Sequence, residues 1–255
     1  MHITILEHLL YEHHAFCRRY YRNPNIEPGK IHQLSTNLHI NYARLNKHGA
    51  LVVYVSTRVP VFYSRQDATY HCMFHALEVA HKSYFNCLEE GGSEKEALTA
   101  YIAGVFHDAD YIVSRDDSLN VIAAVNAFKG ELKYKNPLVK IMQDYDINPS
   151  DVEDIILCTQ FDKTTGTFPI KPTTLPAKVV RDADLLGCTS PLWPSLLSGL
   201  AVEMGVDPDS WVDVHSFLTR QYDFISSQQM QIDNGKSYTQ RSLYLSALRE
   251  VIDEL

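Results

Sequence analysis

Two short stretches place groups that could do chemistry inside apolar surroundings: Tyr70-His71-Cys72-Met73-Phe74-His75-Ala76-Leu77 and Val105-Phe106-His107-Asp108-Ala109. An imidazole or carboxylate is costly to bury without a partner. His71 and His75 are four residues apart, which on a helix sets them on one face, one turn from each other. His107 and Asp108 adjoin at the expected C-terminal end of an apolar helix over 97–106. A third acidic stretch is Arg181-Asp182-Ala183-Asp184-Leu185. Its two carboxylates diverge by about 200° around a helix, so one can face a site. The other is expected to face solvent or to pair with a neighbouring Lys or Arg. A lone buried His is most often a hydrogen-bonded core residue. The order His, then His-Asp, then Asp, each on its own helical segment, points instead to a divalent metal. Mixed nitrogen and oxygen ligation suits Mn, Fe, Co, Ni or Zn better than Ca.

The elements that must position these groups are mostly helical. Apolar spacing predicts helices over 3–21 and 31–47, joined by a Pro- and Gly-containing loop over 23–30. Residues 51–56 and 59–63 are β-branched and apolar, which predicts at most a short β-hairpin or a buried extended segment. A helix over 68–90 carries His71 and His75. Gly91-Gly92-Ser93 breaks the chain, and Ser93 with Glu96 has the spacing of a capping box. The helix that follows ends near Phe106, with Gly104 permitting close backbone approach. Further helices are expected over 119–128, 137–145, 150–159 (Ser150 as N-cap with Glu153), 178–186, 196–204, 211–224 and 238–255. Asp207-Pro208 reads as a helix start. The Thr- and Pro-rich segment 162–176 is expected to be a loop over the site. Arg65, Lys178 and Arg181 are candidates to meet a substrate phosphate. Asp110, Asp117 and Asp162 are candidates for a base or a second metal.

Composition narrows the class. The chain has 255 residues, 45% hydrophobic and 21% charged, as in soluble globular proteins. Five scattered cysteines form no CxxC pair, so neither a disulfide framework nor a Cys-type zinc site is expected, and a cytoplasmic setting is the simple inference. No apolar run reaches the length of a membrane span, and no signal-like N-terminus is present. A formal charge of −8 argues against nucleic-acid binding by long-range attraction. It leaves room for a small anionic substrate beside a bound cation.

In these stretches the chain resembles the HD-domain metal-dependent phosphohydrolases. YHCMFHALEV resembles the YHNxxHAxxV stretch found in HD enzymes, including cyclic-nucleotide phosphodiesterases. FHDADY resembles the FHDAxY of small predicted HD phosphohydrolases, and DADLLG resembles their DADLxxLG. The resemblance covers about residues 62–190. It implies an all-α HD-domain helical bundle as a single domain over 1–255, with an N-terminal extension over 1–61 and C-terminal helices over 191–255. It implies metal ligands His75, His107, Asp108 and Asp184. His71 matches the His that protonates the leaving oxygen in the phosphodiesterases. As a doublet ligand beside the water it would bind, Asp108 suits a bridging or water-orienting role. Two positions depart from the pattern. Asp117-Ser118-Leu119 stands where a DNE triplet is usual, and Asp162 stands where a TxxH His is usual.

The expected function is hydrolysis of a phosphate ester in a nucleotide or nucleotide-like metabolite by metal-activated water. The expected cofactor is one of the transition metals above, with Mg admitted at a second position. The expected partner is a small phosphorylated molecule, with no nucleic acid and no membrane, and homo-oligomers are allowed. The rival readings are a di-iron HD-type oxygenase and a non-catalytic nucleotide-binding module.

Overall fold

A computed structural model describes residues 45–185, 193–232 and 235–254. The helices and loop expected over 3–44 lie outside these residues. Ten α-helices follow in chain order: α1 (Gly49–Arg58), α2 (Met73–Glu89), α3 (Glu94–Phe106), α4 (Asp117–Glu131), α5 (Pro137–Asp144), α6 (Pro149–Leu157), α7 (Leu175–Leu185), α8 (Trp193–Glu203), α9 (Trp211–Ser227) and α10 (Gly235–Glu254). Short 3-10 turns, Leu45–His48 and Val59–Tyr63, flank α1. The fold is all-α. The one β-type pairing among the described residues is the isolated bridge between Asp162 and Thr167.

The helix α3 is the axis of the first core. Every residue from Ala97 to Phe106 is buried, as expected of a helix apolar on all sides. Its start is the capping box read from the sequence: the Ser93 hydroxyl accepts from Glu96 N, and the Glu96 carboxylate accepts from Ser93 N. The helices α2 and α7 pack on α3 and on each other. Gly104 makes the α2–α3 approach possible, since a Cβ there would stand 2.8 Å from Ala80 Cα. A second apolar cluster joins α8, α9 and α10 through Leu197, Phe217, Leu218 and Leu248, and Tyr70 belongs to it.

Four local expectations are corrected. Residues 51–63 are helical, not a hairpin. Leu51, Tyr54 and Val55 form the buried face of α1, while Val53 is 60% exposed. An alternating strand would have turned Val53 inward with Leu51 and Val55. Tyr54 OH donates to the buried Glu131 carboxylate (2.5 Å), which also receives Arg58, so tertiary partners override the β-branched composition. The second correction is that α2 begins at Met73, so His71 precedes the helix. The Glu203 carboxylate takes the N–H groups of Tyr70 and His71, and Thr69 binds the Gly199 carbonyl. These contacts replace a helical first turn. The third is that α6 is capped by Asn148, which accepts from Ser150 N, with Pro149 at the first helical position. The last is that Ser210, not Asp207, caps α9 by accepting from Asp213 N. Asp207 instead accepts from Asp209 N within the preceding turn.

Candidate metal centre

Four side chains meet where three helices of the first core converge. His75 lies in the first turn of α2. His107 is the C-cap of α3, and Asp108 follows it. Asp184 is the penultimate residue of α7. His75 and His107 are fully buried, at 0% and 1% exposure. His75 Nε2 lies 3.3 Å from His107 Nε2, 3.1 Å from Asp184 Oδ1 and 3.5 Å from Asp108 Oδ2. His107 Nε2 lies 3.0 Å from Asp108 Oδ2 and 3.5 Å from Asp184 Oδ1. The His107 Nδ1–H donates to the Gly104 carbonyl at 2.8 Å, which directs its Nε2 lone pair into the cluster.

These separations fit one shared cation. Ligand atoms at about 2.1 Å from an ion stand roughly 3.0 Å apart at octahedral corners and roughly 3.4 Å apart at tetrahedral ones. With His107 neutral and its Nδ1–H given to Gly104, Asp108 Oδ2 faces the bare Nε2 lone pair at 3.0 Å, a costly buried arrangement that a shared cation would relieve. His75, His107 and Asp108 together meet the geometry of a metal-holding group, and Asp184 adds a second carboxylate beside both imidazoles. Electrostatics point the same way. Burial opposes charge on His107, but Asp108 and Asp184 outweigh it and raise its pKa well above the usual range. Burial opposes ionisation of Asp108 and Asp184, yet the facing imidazoles hold both low. The same groups could hold a cation.

His71 stands beside this centre, its ring 6.2 Å from that of His75. Three contacts fix it. Its ring stacks on Tyr111 at 3.7 Å and 10°. Its Nδ1 lies 2.6 Å from Glu203 Oε2, and its backbone N–H donates to Glu203 Oε1 at 3.0 Å. With Nδ1–H given to the carboxylate, Nε2 is the nitrogen left for exchange with a bound molecule. Burial disfavours the imidazolium, but the charges of Asp108 and Glu203 prevail and raise the pKa. Glu203, 132 residues away in sequence, escaped the sequence reading. Its local pattern, one Glu near the end of a helix, carries no signal of this role.

The remaining candidates divide by place. Asp117 opens α4, accepts from Phe161 N at 2.7 Å, and is raised in pKa by burial and by the charges of Asp108 and Asp184. Asp162 is committed to its own turn, accepting from Thr164 N and Thr165 Oγ1. Asp110 is exposed and has a left-handed backbone, φ 59°. Arg65 forms a two-point pair with Asp67 in solvent. The Arg181 guanidinium is buried, donates to the carbonyls of Cys158 and Ile170, and lies over the Phe168 ring. It is thus a brace for the 158–170 segment. Lys178 is one helical turn from Asp182, and its charge acts on that residue. Asp182 is 1% exposed, so of the two expected outcomes, solvent or a neighbouring Lys or Arg, the first does not hold. Its carboxylate accepts from Gln231 N at 2.9 Å and Ile232 N at 2.8 Å. A buried carboxylate can be satisfied by backbone donors as well as by a metal.

Compared with family models and with curated proteins, the chain matches none. Among the described residues no helix is long and apolar enough to cross a membrane.

Proposed function

We propose that the chain is a metal-dependent phosphohydrolase of the HD type, acting on a phosphate ester of a nucleotide or nucleotide-like metabolite. The observation that carries this reading is the juxtaposition of a four-ligand cluster with His71, an imidazole held by a carboxylate and not needed as a ligand. His75, His107, Asp108 and Asp184 would hold Mn, Fe, Co, Ni or Zn. Such an ion, when bound, supplies acidified water and polarises a phosphoryl oxygen. The protein's own groups do the rest. Asp108, as the ligand beside the water it would bind, orients the attacking water. His71 carries a proton on Nε2 and delivers it to the departing oxygen, with Glu203 balancing the imidazolium charge. The Tyr111 ring holds the imidazole plane. Arg181 is not assigned to phosphate, because its donors are used by backbone carbonyls.

Metal analysis of the purified chain, combined with a panel of phosphomonoesters, phosphodiesters and nucleotides, tests this reading. Near-stoichiometric transition metal and hydrolysis of at least one ester class are expected, and His107→Ala or Asp108→Ala should remove both. Full metal occupancy in both variants would refute the ligand assignment. For His71→Ala, metal should stay while turnover falls by about 10²–10⁴-fold. That loss should shrink for a nitrophenyl ester, whose leaving group needs no proton.

A further inference from the structure

We infer that Gly199 and Glu203, one turn apart on α8, are positioning residues that seat His71, so that the second apolar core completes a site whose metal ligands all belong to the first. The inference rests on the reading of His71 as proton donor. His71 lies on a short non-helical segment, 69–71, ahead of α2. That segment is laid directly on α8. A Cβ on Gly199 would stand 2.8 Å from the Thr69 carbonyl oxygen and 3.2 Å from Tyr70 N. Both are backbone atoms, so no rotamer change relieves the clash. Thr69 Oγ1 donates to the Gly199 carbonyl at 2.7 Å. One turn on, Glu203 is 3% exposed at its side chain and accepts from Tyr70 N (2.5 Å) and His71 N (3.0 Å) with one oxygen. Its other oxygen holds His71 Nδ1. The Tyr70 side chain is buried in the second core, and its ring lies 4.5 Å from the His75 ring.

The consequence is a division of labour. The helices α2, α3 and α7 set the metal ligands, whereas α8 sets the height and tautomer of the imidazole beside them. His71 precedes α2 and is tied to α8 through Glu203, so a change at Gly199 or Glu203 acts on its imidazole directly and reaches the His75 ring through Tyr70. Misplacement of a reacting group by about 1 Å costs on the order of 10²-fold in rate.

The test uses the full chain supplied with Zn²⁺, a diamagnetic ion, with Glu203→Gln and Gly199→Ala as variants. Two readouts are taken: nitrogen-15 histidine NMR of the His71 Nδ1–H, assigned with His71→Asn, and turnover of a poor against a good leaving group. Wild type should show a downfield, exchange-protected His71 Nδ1–H. Glu203→Gln should lose it, and Gly199→Ala should shift it, with zinc content unchanged in both. Turnover of the poor leaving group should fall by about 10–100-fold, and that of the nitrophenyl ester by much less. If Gly199→Ala does not fold, Glu203→Gln decides alone. An unchanged His71 resonance, with turnover within twofold of wild type, would overturn the inference. Should the wild type hydrolyse no ester while its His71 resonance still depends on Glu203, the positioning stands and the proposed function falls.

Discussion

At the scale of single residues, Asp182 and Asp184 show how two neighbouring carboxylates reach different ends. Asp184 Oδ1 faces the imidazoles. Asp182 turns the other way and ties α7 to the 231–232 backbone. Asp182→Ala should therefore leave metal content intact yet lower stability by about 1–3 kcal/mol, because two backbone N–H groups lose their acceptor. Denaturant titration beside metal analysis checks both halves. Burial raises the Asp182 pKa to about 6, above its unfolded value. Between roughly pH 4 and 6 the folded state then holds a proton that the unfolded state has lost. Its contribution is full at low pH and declines as pH rises through that window, by at most about 3 kcal/mol. A stability–pH profile of Asp182→Asn should lack this decline. A profile parallel to wild type would show that the carboxylate is ionised at no cost.

At the scale of elements, the ligand cluster depends on how closely α2 and α3 approach. Gly104 permits that approach against the Ala80 backbone, and it also accepts the His107 Nδ1–H through its carbonyl. Gly104→Ala should cost about 1–3 kcal/mol by overpacking and weaken metal binding by displacing His107 from His75. Ser93→Ala, at the start of the same helix, removes a cap worth about 1 kcal/mol. It lies a full helix length from the cluster, so metal affinity should hold. Equal loss of metal affinity in the two variants would mean that helix stability, not inter-helix spacing, governs the site. The same scale explains the misread helix starts. Ser150 and Asp207 have N-cap chemistry, but Asn148 and Ser210 take the cap positions, since several Asx and Ser residues within a few positions are close competitors for one helix start.

At the scale of the whole molecule, the proposed metal would be linked to the fold, since an ion that binds only the folded chain stabilises it by mass action. Removing the metal with a chelator should lower the unfolding free energy by about 2.7 kcal/mol if the ion was present at 100 times its Kd. Calorimetry with and without added metal measures this, and an unchanged melting temperature would argue against a folded-state site. The helical character, the break and capping box at Gly91–Glu96 and the close approach at Gly104 were legible in the sequence by itself, through periodicity, caps and residue size. The His, His-Asp, Asp order was legible too, but the choice of His75, His107, Asp108 and Asp184 as ligand candidates is what the resemblance to HD enzymes implies. Only the tertiary structure decided that residues 51–58 are helix, that His71 lies outside α2, that Arg181 braces a loop and that Asp182 is buried. Each of those outcomes was set by a partner distant in sequence: Glu131, Glu203, the Cys158 and Ile170 carbonyls, and the Gln231–Ile232 backbone. A contact across 132 residues leaves no periodicity in the chain, because its energy depends on how the helices pack and not on what surrounds either residue in sequence.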